Sequence, residues 1–260
     1  MLRSLYTGIT GLNAHQQMLD VTANNIANVN TVGFKSSSTM FEDALSQTIS
    51  ASGTNSNQVG LGVAVSGTNL NFAQGSPQAT GVPSNLMIRG DGFFTMESPT
   101  GERTYSRNGA FTLDRAGHLV TADGSKVLNP AGAVLDLSAL NSGAYVSYNI
   151  DGAGTVLGIA ADGTTTALGQ VGMATFATPN GLQKIGDSQY LESPTSGGPQ
   201  VGTPGSGARG LVTSGYVEMS NVDLSRELTN LIVAQRGFQA NSKVVTTSDE
   251  VLQTLVNLKN

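Results

Sequence analysis

Apolar residues at the two ends of the chain recur in alternating steps of three and four; between the ends they come in short runs broken by glycine turns. At the start, Leu2, Leu5, Ile9, Leu12, Gln16, Leu19, Ala23 and Ile26 form one stripe, with Gln16 its only polar member. This is heptad a/d spacing, and it predicts a helix over residues 2–28, roughly 40 Å long at about 1.5 Å per residue. The stripe is narrow and the other face polar (Asn13, Gln17, Asp20), so a single partner helix would cover it. Gly8 and Gly11 each cost a helix about 1 kcal/mol relative to Ala, but they admit a close backbone. At the far end, Leu224, Leu228, Leu231, Gln235, Phe238, Ser242, Val245, Asp249, Leu252 and Val256 repeat the spacing, behind candidate caps Ser220, Asn221 and Asp223. Two terminal heptad helices are expected to pair with each other as a coiled coil, bringing the chain ends together and looping the middle out.

The middle reads as β structure. Short strands are predicted at 86–88, 93–96, 103–105, 110–113, 119–121 and 126–128, separated by turn signals such as Gly90-Asp91-Gly92, Asn108-Gly109 and Asp123-Gly124. A second β-rich run spans 145–191, and the spacing favours an antiparallel meander or sandwich. The stretches 46–60 and 193–209 are mostly Ser, Thr, Gly, Asn, Gln and Pro, and read as loops or extended connectors. The expected fold class is therefore α+β. A helical core comes from 1–30 plus 218–260, an extended linker region from 31–80 plus 193–217, and a central antiparallel all-β domain from 81–192.

Composition narrows the function. Only 12% of the 260 residues are charged, and 33 are glycine; the surface must be built from small polar side chains, which pack against neighbours without strong charge repulsion. Net charge is −5 and no Lys/Arg cluster occurs, so the footprint of a nucleic-acid binder is absent. No run of about 20 apolar residues suggests membrane insertion. Arg3, Ser4, Thr7, Thr10 and Asn13 interrupt any apolar core of a cleaved signal, so export, if any, is expected to use another route. The absence of cysteine removes disulfides and thiolate metal sites.

Candidate chemistry is sparse. His15 and His118 are too few for a histidine metal cluster, and both read as surface or interface residues. Asp91, Asp114, Asp123, Asp151 and Asp162 all fall in turns, where Asp bonds its own backbone; paired carboxylates for glycoside cleavage are the weaker reading. No phosphate-binding loop or nucleophile elbow occurs. No catalytic, cofactor or metal residue is predicted, and the chain is not expected to be an enzyme. A secreted β-rich adhesin would want an aromatic platform, and the chain has no Trp. The cluster Asn24, Asn25, Asn28 and Asn30 divides evenly between helix-end capping and amide contacts to another chain.

The segment LDVTANNIANVNTVGFKSS (19–37) resembles the N-terminal signature of flagellar rod and hook proteins, through Asn24, Asn25, Ala27, Asn28, Val29, Thr31, Gly33, Phe34 and Lys35. The C-terminal segment is similar to that family's end, through Ser220-Asn221-Val222-Asp223, Ala234-Gln235-Arg236 and Asn241-Ser242. GVPSNLMIRGDGFF (81–94) and SRNGAF (106–111) resemble its entry into the β domain. Within the family, Val59-Gly60-Leu61-Gly62-Val63 and the 28–35 segment look more like a short hook subunit than a distal rod subunit, which is the alternative.

The resemblance implies a structural subunit that polymerises with itself into a tube. Its seam would be made by Leu2, Leu5, Ile9, Leu12, Leu19, Ile26, Leu224, Leu228, Leu231, Phe238, Val245 and Leu252. It further implies export by the flagellar type III apparatus, and neighbours among rod proteins, hook–filament junction proteins and a hook cap. The place would be the extracellular hook, a universal joint carrying torque, or, for the alternative, the rod crossing the periplasm and outer membrane. No cofactor is implied.

Overall fold

A computed structural model describes residues 2–52 and 55–257. The chain divides into two compact units, one made of residues 1–28, 36–71 and 222–260, the other of 29–35 and 72–221. The class is α+β, with two helices and many antiparallel strands.

The first unit holds both helices, α1 (Leu2–Ala27) and α2 (Leu224–Asn257). Asp223 caps α2: its Oδ1 accepts from the Ser225 and Arg226 amides at 2.9 and 3.3 Å, and Glu227 adds an acid to the first turn. The helices run antiparallel. Ser4 near the start of α1 meets Ser248 near the end of α2, with the hydroxyls 3.3 Å apart. Further along, Gly11 faces Asn241 and His15 lies over Gly237. A Cβ on Gly11 would sit 2.7 Å from the Asn241 Oδ1, and one on Gly237 would collide with the His15 ring. The glycines that weaken each helix are what let the pair close.

The same unit carries β1 (Ser37–Asp43), β2 (Ser46–Ser52), β3 (Asn55–Gly60) and β4 (Val63–Leu70). β1 pairs antiparallel with β4, and β2 with β3. Residues 46–60, which the sequence predicts as a connector, thus form a paired ribbon. Its Ser, Thr, Asn and Gln residues carry no hydrophobic alternation, so the periodicity that marks a strand gives no signal there. The β1–β4 pair lies on α1: the Val63 amide donates to the Thr10 hydroxyl at 3.4 Å, and His15 and Phe41 rings sit 5.9 Å apart.

The second unit is built on a buried antiparallel sheet. β5 (Pro77–Ala79) pairs with Tyr216–Glu218, and β6 (Leu86–Arg89) with Leu211–Ser214. β7 (Phe93–Glu97) is central, pairing with β8 (Arg103–Ser106) on one side and with Lys126–Val127 and Met173–Thr175 on the other. Its run Phe93, Phe94, Thr95, Met96 is buried throughout, as a strand covered on both faces requires. Leu86, Ile88, Phe94, Met96, Phe111 and Leu119 anchor the core. The predicted strands from 86 to 128 agree with those observed to within a few residues. Gly109 is obligatory for space, since a Cβ there would run into the Leu86 carbonyl. The later β-rich run includes a three-stranded meander, Tyr145–Ile150, Thr155–Ala160 and Thr165–Gln170. The 193–209 stretch stays largely irregular, with one short strand at Gln200–Gly202.

Two outcomes follow. Gly11→Leu should separate the helices: amide exchange protection across 2–27 and 224–257 should collapse while protection in the second unit stays intact. The Asp123 carboxyl provides a pH signature. Burial raises its pKa, but hydrogen bonds from Ser125, Thr121 and Gln189 outweigh this and hold it below the usual carboxylate range. Its stabilising contribution is therefore complete above the unfolded-state value of about 3.9 and is lost as pH falls through the lower folded-state value. Ser125→Ala should move the carbon-13 titration midpoint of Asp123 upward and start acid unfolding at higher pH.

Candidate functional site

The N-terminal signature leaves α1 and divides its residues by task. Asn25 is buried, and its amide pairs with Ser37 as a strand would: Nδ2 donates to the Ser37 carbonyl at 2.7 Å and Oδ1 accepts from the Ser37 amide at 3.0 Å. This ties the base of the excursion 29–35. Asn28 closes the helix, its side chain donating to the Asn24 carbonyl at 2.9 Å; the Asn24 side chain is exposed. Of the two readings of the cluster, Asn28 follows the capping one and Asn25 makes an amide contact within its own chain.

Gly33, Phe34 and Lys35 belong to the second unit, and all three are buried. Gly33 has φ +69°, and a Cβ there would lie 2.5 Å from the Asn108 amide nitrogen, so both conformation and space demand glycine. The Gly33 amide donates to the Glu218 carbonyl at 2.8 Å. Lys35 Nζ donates to Glu218 Oε1 at 2.6 Å and to the Ala73 carbonyl at 2.8 Å. Oε1 also accepts from the Gly75 amide at 2.8 Å, and Oε2 accepts from Arg107 Nη1 at 3.4 Å. Asn221 Nδ2 reaches the same Ala73 carbonyl at 3.1 Å.

The Lys35 and Glu218 side chains are 0% exposed and that of Arg107 is 3% exposed. One carboxylate thus serves two cations in a dry interior. Burial lowers the Lys35 pKa, and the Glu218 charge opposes that; Arg107 is lowered by burial in the same way. The guanidinium also lies 5.4 Å from the centre of the Phe93 ring. Phe34 is covered on its face by the Lys184 ammonium, 4.0 Å from the ring centre.

The helix residues sort differently. The most buried positions of the pair are small or polar: Gly8, Gly11, Ala14, Thr22 and Asn25 on α1, Ala234 and Ser248 on α2. Of the heptad stripe, Leu5, Leu12, Leu19, Ile26, Leu231, Val245 and Leu252 are half-buried, whereas Ile9, Leu224, Leu228 and Phe238 are exposed, Leu228 at 46%. The Leu2 side chain lies outside those described. Ser220 is half-buried; Gln235 and Arg236 are exposed, Arg236 bonding Gln239 at 3.1 Å. The helices meet along a line about one position off the expected stripe, because small residues let the backbones come closest.

Sequence reasoning missed Glu218 and passed over Arg107 and the small-residue line. Glu218 is one of few charges in its region, directly before the C-terminal signature; a lone acid in so uncharged a chain is the signal that was there to use. Among the described residues no group of three or more His, Asp or Glu could hold a metal ion. No described helix is long and apolar enough to cross a membrane. The cluster fastens the signature loop to the sheet.

Comparison with known proteins gives three family matches along the chain: the flagella basal body rod protein family at 5–35, the flagellar hook protein FlgE/F/G D1 domain at 87–167, and the flagellar basal body rod FlgEFG protein C-terminal family at 213–258. The chain is 48% identical to the flagellar basal-body rod protein FlgG of Bacillus subtilis, over all of both chains. It is 36% identical to FlgG of Borreliella burgdorferi, over 100% of this chain and 99% of that protein. It is 28% identical to the flagellar hook protein FlgE of Borreliella burgdorferi, in an alignment of 443 positions covering all of both.

Substituting the shared carboxylate tests the cluster. Glu218→Gln leaves Lys35 and Arg107 buried without their counter-charge and should cost about 3–5 kcal/mol in urea unfolding. Lys35→Met should cost clearly less, because Arg107 still matches Glu218. Equal losses would mean that the cluster acts only through packing.

Proposed function

The chain belongs to the family of flagellar rod and hook proteins, structural components rather than enzymes, and from that premise we propose that it is a distal rod subunit polymerising with copies of itself. The exposed apolar residues of the helix pair, spread over more than one face, carry the assembly half of this reading. Ile9, Leu224, Leu228, Ile232, Val233 and Val251 are all exposed on the two helices. At about 25 cal/mol per Å2 of apolar surface, covering these residues with further subunits is favourable, and leaving them wet is not. The terminal helices then line a tube as paired coiled coils, and the apolar stripe serves as the seam between subunits. The β unit faces neighbouring copies.

The rod half rests on length. The alignment with the Bacillus subtilis rod protein runs to 269 positions for this chain of 260, whereas that with the hook protein needs 443. The shorter register favours the rod over the hook that the sequence motifs suggested. The hook remains the second reading, supported by the end-to-end match to a hook protein. Other rod and hook components are the proposed neighbours, and the flagellar type III apparatus the proposed export route.

Electron cryomicroscopy of the flagellar axis tests the placement. Density for this chain in the straight segment crossing the periplasm and outer membrane is expected; density in the curved external segment would make it a hook subunit. Leu228→Asp tests the assembly half. The substitution is on the surface of the monomer and should change its stability by no more than ~0.5 kcal/mol, while tube formation is lost.

A further inference from the structure

The second unit contains a cavity of about 290 Å3 that shares Arg107 with the buried ion cluster. Phe72, Phe93 and Phe176 wall it, Arg107 lines it, and Asp91 and Ala208 stand at its edge. Phe93 packs edge-on against Phe72 and Phe176, with ring centres 5.3 and 5.8 Å apart, and Tyr190 joins Phe72 at 5.5 Å.

Two polar groups in this aromatic shell are left over. Arg107 Nε and the Tyr190 hydroxyl are buried, and neither has a hydrogen-bond partner in the protein. Arg107 gives one nitrogen to Glu218, but a guanidinium carries five N–H donors. Burying donors without acceptors costs about 1–3 kcal/mol each, so native interiors seldom keep them without use. Tyr190 is fully buried, and burial pushes its pKa up, so it stays a neutral O–H donor. Of the two, Arg107 lines the apolar slot and brings to it a cation with an unpartnered Nε–H. A water could occupy part of it, but Lys35 and Arg107 share the single carboxylate of Glu218, and an anionic acceptor would also answer the positive charge left in excess.

We propose that this cavity is a binding site for a carboxylate carried on a short apolar or aromatic body, with the carboxylate at Arg107 and the body between Phe72, Phe93 and Phe176. Asp91 sits at the rim, exposed and near enough for its charge to act on Arg107, but with no hydrogen bond to it. It is a like charge facing the ligand, and it keeps affinity low. The carboxylate can come from a free small acid or from an Asp or Glu side chain on a second copy of this chain, whose net charge of −5 supplies acids in excess.

The test uses the full-length monomer and the Arg Nε–H resonances in nitrogen-15 NMR. Sodium phenylacetate should shift the Arg107 signal saturably with a millimolar Kd. Benzyl alcohol and sodium chloride at equal concentration should not. No saturable shift, or an equal shift with either control, would overturn the proposal. Ala208→Phe fills the slot without touching the ion cluster and should abolish the shift while the melting temperature holds. Asp91→Asn should tighten binding about twofold to fivefold, the scale of one exposed charge pair; unchanged or weaker binding would remove Arg107 as the carboxylate's partner. Co-sedimentation of radiolabelled phenylacetate with assembled polymer separates the sources. Retention there assigns the site to a free acid, and exclusion that is relieved on depolymerisation assigns it to a neighbour's side chain.

Discussion

The second unit depends on one carboxylate. Glu218 is reached by Lys35, Arg107 and the Gly75 amide, while its own backbone carbonyl takes the Gly33 amide. Three stretches remote in sequence, 33–35, 73–75 and 107, are thereby fastened to the last strand before α2. Apolar residues of similar volume could fill such a place with equal or greater stability, so raw stability does not account for the cluster. Its value is registry: an ion pair with fixed hydrogen-bond directions accepts one arrangement of those segments, where a greasy contact would tolerate several. Gly33 enforces the same arrangement by sterics, since no other residue fits its φ or its distance to Asn108.

The helix unit follows the opposite logic. Its two helices meet through glycine, alanine, serine and asparagine, residues that contribute little buried apolar area. What they provide is proximity. By drawing the backbones together at Gly8, Gly11 and Gly237, the pair turns much of its aliphatic surface outward instead of spending it inside. A flagellar structural protein built this way keeps its strongest hydrophobic contacts for other molecules. The sparse charge of the chain, 12% of its residues, leaves few charged side chains to desolvate at such contacts.

Much of this was legible in the sequence. The heptad spacing located both helices, and the glycine turns located the strands from Leu86 to Val127, because periodicity and turn chemistry are local signals. The pairing of β2 with β3 was not legible: their run of small polar residues carries no hydrophobic alternation. The line along which the helices meet was read one position away. Spacing reports where the large apolar residues are, and the closest approach was decided by where they are absent. Glu218 and Arg107 became partners only through the fold, being 111 residues apart.

Lys35 and Glu218 are separated by 183 residues. A chain that appears from its N-terminus, whether from a ribosome or through a narrow conduit, presents the Gly-Phe-Lys segment long before the acid that receives it. Until then a lysine destined for a dry interior stays hydrated, and the sheet lacks the strand Tyr216–Glu218. Loop closure over such a span adds only logarithmically to the free energy, but it fixes the order of events. Completion of the native state is thereby tied to arrival of the C-terminal region.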